Sequence, residues 1–164
     1  MQEQFTHHTI EYAHRFDHVR FYRQYDNGQR DSYALDCPRY VAERKVFEVT
    51  CTIMMDVGKN RQRQGNGKQF IDYVASFLQK LSDRTGIQVH WKESTYNAYA
   101  KKMMLDKNFT TTDMTHFQRI LTQREDRGSP TPQENDAMKA ILDKAEWAKK
   151  KIEYSGRSEN DNRK

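Results

Sequence analysis

The most regular pattern along the chain lies in its middle. Apolar residues at Phe70, Tyr73-Val74, Phe77-Leu78 and Leu81 recur in steps of three and four, which predicts a helix from Phe70 to Arg84. Thr85-Gly86 closes it with a glycine stop. Ile87 to Glu93 then alternates as a half-buried strand. Ahead of the helix, the run Lys45 to Asp56 is apolar enough to read as a buried strand. Beyond it, Thr110-Thr111-Thr112 and His116 to Leu121 fit two short closing strands.

The ends of the chain are patterned differently. Thr9 to Phe16 sets Ile10, Tyr12 and Phe16 on one side of a strand, and Val19 and Phe21 continue with the opposite parity. Asp26-Asn27-Gly28 is a turn signal, so two early strands are expected around it, followed by a short helix from Pro38 to Arg44. At the other end, residues 122–131 read as a linker, and Thr131-Pro132-Gln133-Glu134 forms a capping box with proline at the first helical position. A helix over 132–154 follows. Met138, Ile141-Leu142, Ala145, Ala148 and Ile152 give it one apolar stripe, which either packs back on its own domain or docks a partner or a second copy. Residues 155–164 are polar and read as a disordered tail.

Between the buried strand and the central helix lies Val57-Gly58-Lys59-Asn60-Arg61-Gln62-Arg63-Gln64-Gly65-Asn66-Gly67-Lys68. From Asp56 to Asp72 this segment carries Lys59, Arg61, Arg63 and Lys68 and no acid. A glycine loop feeding a helix N-terminus offers unpaired N–H groups and a partial positive charge, so it suits an anion and not a cation. Phe70 stands where a dinucleotide fold needs its third glycine, and Gln69 stands where a P-loop needs Ser or Thr.

What remains, Gln62-Arg63-Gln64-Gly65-Asn66-Gly67, resembles the Q/R-x-x-G-x-G/A pyrophosphate loop of the GNAT superfamily of acyl-CoA N-acyltransferases, with Val57 at the family's strand-ending valine. A second stretch, Asn97, Ala100, Met104, Asn108 and Phe109, resembles the family's N-x-x-A-x-x-x-Y-x-x-x-G-F motif at three of five positions. The resemblance runs from Val49 to about Leu121. It implies an α/β (α+β) fold: a mixed, mostly antiparallel sheet splayed between the family's fourth and fifth strands and flanked by helices, over residues 1–121. Only about 45 residues precede the fourth strand, too few for the family's usual strand, two helices and two strands, so a minimal version with a reduced substrate-side lid is expected.

The resemblance also implies a site. Gln62 and the backbone amides of Arg63, Gly65, Asn66, Gly67 and Lys68 would hold the pyrophosphate of acetyl-CoA, the co-substrate. Met55 and Val57 would pair with the pantetheine arm, and Asn97 would lie near that arm or the sulfur, among the catalytic residues. The reaction would be attack of a neutral amine on the thioester carbonyl. The family's acid tyrosine is replaced by Met104, and His90 or Glu93, acting through water, are the candidate bases. Asn108 in place of the family's glycine suits a left-handed helix terminus.

Composition adds limits. The chain of 164 residues carries 28 basic and 23 acidic residues, a net charge of +5, and is 35% apolar. That is a mixed surface rather than a nucleic-acid arm. Cys37 and Cys51 have no metal-like spacing, Cys51 reads as a buried thiol, and His7-His8, His14 and His18 lack companion ligands, so no metal is expected. No apolar run approaches the roughly 20 residues needed to span a membrane, which makes a cytoplasmic location the simplest expectation. Two functions are carried forward. The first is an N-acetyltransferase acting on a primary amine, such as a protein lysine or N-terminus. The alternative is a catalytically reduced GNAT-fold module docking on a protein or nucleic acid.

Overall fold

The computed structural model describes residues 4–50, 58, 66–95, 97–125 and 129–146. Chain order gives β1 (Phe5–Ala13), β2 (His18–Tyr25), β3 (Arg30–Asp36), β4 (Arg39–Val41), β5 (Val46–Thr50), α1 (Asn66–Thr85), β6 (Gln88–Ser94), α2 (Ala98–Asp106), β7 (Thr110–Thr111) and β8 (His116–Leu121). A last helix, α3, is described over 132–146. The strands form an N-terminal antiparallel sheet, β1-β2-β3, and a central sheet, β4-β5-β6-β8-β7. Every pairing is antiparallel except β5 with β6.

Alternation gives each sheet one buried face. In the N-terminal sheet, Ile10, Phe21 and Tyr33 lie opposite one another, as do Tyr12, Val19 and Leu35. In the central sheet, Phe47 and Val49 of β5, Val89 and Trp91 of β6, and Phe117 and Leu121 of β8 are buried. Against them α1 packs Phe70, Ile71, Val74, Phe77, Leu78 and Leu81, all fully buried. Edge-to-face rings lock the layers, with Phe21 5.6 Å from Phe77 and Trp91 4.8 Å from Phe109.

The segment Pro38 to Arg44 is not the expected helix. Arg39–Val41 pairs antiparallel with β5 across Glu48, Phe47 and Val46, and Tyr40 lays its ring on Phe47 at 5.8 Å. The proline start signal is a local preference, and an open strand edge with a ring to cover outweighs it. The N-terminus holds three strands rather than two, and Phe16 falls in the β1–β2 turn, exposed, with Arg15 and Arg20 over its ring. Asp26-Asn27-Gly28 does form the β2–β3 turn, with Gly28 at φ 84°. Residues 4–50 contain no helix.

At the C-terminal end, the capping box of α3 is formed: Thr131 N–H donates to Glu134 Oε1 at 3.0 Å and Glu134 N–H to Thr131 Oγ1 at 3.2 Å. The described part of its stripe is used internally, since Ala137, Met138, Ile141 and Ala145 are buried in the common core. Glu134, nearly fully buried, also receives Lys80 of α1 at 3.0 Å. The rest of the expected helix, 147–154, the expected tail and Cys51 lie outside the described residues.

Candidate active site

The parallel pair β5–β6 runs in register from Val46↔Gln88 to Thr50↔Lys92. Glu93 and Ser94 continue β6 beyond that point, paired only with Phe117 and His116 of β8 among the described residues. A cavity of about 510 Å³ opens here, lined by Thr50, Lys92, Glu93, Ser94, residues 110–112 and His116 to Gln118. The expected splay involves residues 51–57, which lie outside the described residues, as do Met55, Val57, Gln62, Arg63 and Gly65.

Of the expected phosphate-binding residues, Asn66, Gly67 and Lys68 are described, and they form the first turn of α1, which contains no acid. Their N–H groups belong to the unpaired set of a helix start. The Lys68 ammonium pairs with Asp106 of α2 at 3.0 Å, and Lys107 pairs with Asp72 of α1 at 2.9 Å. These two bridges tie the first turns of α1 to the C-terminal end of α2. Asn97 is the N-cap of α2, its Oδ1 accepting from Tyr99 N–H at 2.8 Å and Ala100 N–H at 3.2 Å.

Period-two alternation separates the two candidate bases. His90 lies on the open face of the central sheet, bonded to Gln88 Oε1 at 3.2 Å. Burial, with Arg44 and Lys92 nearby, holds its pKa below the ordinary value. Lys92 on the same face bonds Glu48 at 3.0 Å; that bond, with Arg44, holds Glu48 ionised. Glu93 lies on the opposite, buried face with Trp91 and is 8% exposed. Its Oε1 accepts from Trp91 Nε1–H at 2.9 Å and from the Tyr33 hydroxyl of β3. Burial pushes its pKa up to about 8, so at neutral pH the carboxyl keeps its proton.

Met104 is 5% exposed and packed in the core, and Phe109 is buried against Trp91. Asn108 takes φ 69°, the left-handed conformation the family's glycine would supply. Sequence reasoning missed Tyr33, whose available signal was its shared parity with Leu35 and Asp31 in β3. Its partner Glu93 lies 60 residues away, a distance no local pattern spans. Among the described residues no group of three His, Cys, Asp or Glu could hold a metal. Cys37 is a free, buried thiol whose pKa burial raises to about 12. No helix among the described residues is long and apolar enough to cross a membrane.

No protein-family model matches the chain, and comparison with curated protein sequences finds no match. Among solved structures, it is similar to a chain of the KacTA–DNA complex, at TM-score 0.51 and 16% identity over 63% of this chain and 67% of that one. It is similar to the AtaT toxin bound to the C-terminus of the antitoxin AtaR, at TM-score 0.50 and 14% identity over 63% and 66%. It is also similar to AtaTR bound with acetyl-CoA, at TM-score 0.50 and 15% identity over 63% and 68%. KacT and AtaT are GNAT-fold acetyltransferases. With the same class of mixed, open sheet and flanking helices, this chain has the GNAT fold.

Proposed function

We propose that the chain is an acyl-CoA-dependent N-acyltransferase that moves an acetyl group from acetyl-CoA to a primary amine, with a protein lysine or N-terminus as the acceptor class. The observation that carries this reading is the cavity at the end of the parallel β5–β6 pair, with a buried, proton-bearing Glu93 in its wall. The acid-free start of α1, directly after Gln62-Arg63-Gln64-Gly65, supports an anionic co-substrate beside it. The presence of acetyl-CoA in the AtaTR structure supports the same choice.

In this reading Glu93 is the acid rather than the base. A neutral amine adds to the thioester carbonyl, the C–S bond breaks with its electron pair going to sulfur, and the Glu93 proton passes to the thiolate. The amine's surplus proton then leaves to solvent and Glu93 is reprotonated, so the cycle balances. A free thiol's pKa of about 8.5 matches an acid titrating near 8. Tyr33 and Trp91 hold the carboxyl through Oε1, and Glu93 takes the acid role that the family gives to a tyrosine at the position of Met104, which cannot donate. His90, on the other face, is left out. Asn97 acts by starting α2 beside the cavity end of β6. Met55, Val57, Gln62, Arg63, Gly65, Asn66, Gly67 and Lys68 keep their expected roles along the co-substrate.

Met104, standing where the family's acid tyrosine would be and unable to donate a proton, favours a second reading, a docking module without catalysis. Calorimetric titration with acetyl-CoA, run beside Gly65→Trp, separates the two. Saturable binding lost in the variant, with thiol release on adding a lysine peptide, supports transfer. Absence of binding at millimolar acetyl-CoA overturns it in favour of the module.

A further inference from the structure

The turn between β7 and β8 holds a titratable group at the cavity that the acid step leaves unused. His116 opens β8 directly opposite Ser94, the last residue of β6, and lines the cavity with it. Asp113, which does not line the cavity, holds the ring from the turn. Its Oδ2 meets the ring Nδ1 at 2.7 Å, while its Oδ1 accepts the N–H groups of Thr115 and His116, each at 2.8 Å. The His116 N–H, the His116 ring and the Thr115 N–H hold the Asp113 carboxyl well below the usual carboxylate range. An ionised carboxylate only accepts, so the neutral imidazole carries its proton on Nδ1 and keeps a lone pair on Nε2. Among the described residues that Nε2 has no bonded partner.

The pair is held in place. Met114, between Asp113 and Thr115, takes φ 58°, and its N–H donates to Thr111 Oγ1 at 3.0 Å. A left-handed backbone at a long side chain is strained, and such strain persists where the surrounding bonds fix it. Thr95 N–H donates to the Thr115 carbonyl at 3.0 Å and joins the turn to the end of β6. Strand parity then sets this pair apart from the acid. Ser94 and His116 lie on the open face of the central sheet, and Glu93 and Phe117 on the buried one. His90 shares the open face but stands further back on β6, outside the cavity wall.

We propose that His116 is the general base of the acyl transfer, its Nε2 receiving the amine's proton while Asp113 fixes the ring. This rests on the acyl-transfer reading above. As the N–C bond forms and the C–S bond breaks, the surplus proton on nitrogen passes to His116 Nε2 and the Glu93 proton passes to the thiolate. The imidazolium then releases its proton to solvent and Glu93 is reprotonated, so the cycle balances. With the base on one face and the acid on the other, the amine enters from the open face and the sulfur departs towards the buried one.

Thiol release from acetyl-CoA with a lysine peptide, followed across pH in the full chain beside calorimetric acetyl-CoA binding, tests it. The other charged groups lining the cavity are Glu93 and Lys92, the latter bonded to Glu48, and both are unchanged in the variants. His116→Ala should lower kcat at neutral pH about 100-fold, remove the acid limb of the parent's profile, and keep acetyl-CoA affinity within about twofold. The His116 side chain is 74% exposed, so added imidazole can reach the gap. It should restore about tenfold in His116→Ala and leave the parent unchanged. Asp113→Asn withdraws a charge that favours the imidazolium and should move the acid limb to lower pH. Parental kcat with an intact acid limb in His116→Ala overturns the proposal, as does a loss of kcat that imidazole does not restore. An unmoved acid limb in Asp113→Asn overturns it even where His116→Ala fails to fold. A parent that releases no thiol removes the acyl-transfer reading and the base with it.

Discussion

Replacing Glu93 by Gln should flatten the pH dependence of stability. In the unfolded chain this carboxyl titrates near 4.5, whereas in the folded protein burial holds its proton to about 8. Between those values the folded state binds more protons than the unfolded state, so stability falls as pH rises. The contribution is fully present below 4.5 and lost through about 8. At 1.36 kcal/mol per pK unit, integration from pH 5 to pH 9 gives a loss of about 4 kcal/mol. Glutamine keeps an Oε1 acceptor for Tyr33 and Trp91 and has no such proton. The two proteins should therefore be similarly stable near pH 5, with Glu93→Gln the more stable by about 4 kcal/mol at pH 9. His8, which burial holds down at about 4, contributes with the opposite sign but equally in both proteins, and cancels. Urea unfolding of both proteins at one-unit pH steps reads the difference. Parallel stability curves would refute the burial argument and, with it, the acid role of Glu93.

Other consequences follow from the packing and from the site. Acyl transfer at saturating substrates should fall as pH rises through about 8, and Tyr33→Phe, which removes one donor to the Glu93 carboxylate, should shift that fall to higher pH; a pH–rate profile checks both. Met138→Ala should cost about 2–5 kcal/mol, because Met138 is 0% exposed and carries the α3 stripe onto the core; denaturant unfolding measures it. Glu134→Ala removes a capping-box partner and leaves Lys80 with a lost ion pair, for a cost of about 1–3 kcal/mol in the same assay. Gly86→Ala, at φ 72° where only ordinary contact with Gln123 awaits the added methyl, should lose about 1 kcal/mol through backbone strain, seen as a drop in Tm.

By itself the sequence determined what depends on local repetition. The α1 stripe, the Gly86 stop, the alternation of β6 and β8, the capping box of α3 and the turn at Gly28 are set by residues a few positions apart, and each is where the pattern put it. The GNAT resemblance was legible because its glycines and caps act through backbone conformation, which a spacing encodes. Tertiary structure decided the rest. Pro38 to Val41 became a strand because β5 offered an edge and Phe47 a ring to cover. The described part of the α3 stripe, Met138, Ile141 and Ala145, was spent on its own domain because α1 and the sheet left a core to complete, and its sequence reads the same for either use. Glu93 came to hold its proton only when folding buried it beside Trp91, and its partner Tyr33 was brought from β3, while the strand's alternation kept His90 on the other face. A strand's alternation says that two side chains face apart; which face is buried, and so which carboxyl holds its proton, is fixed by what packs against it.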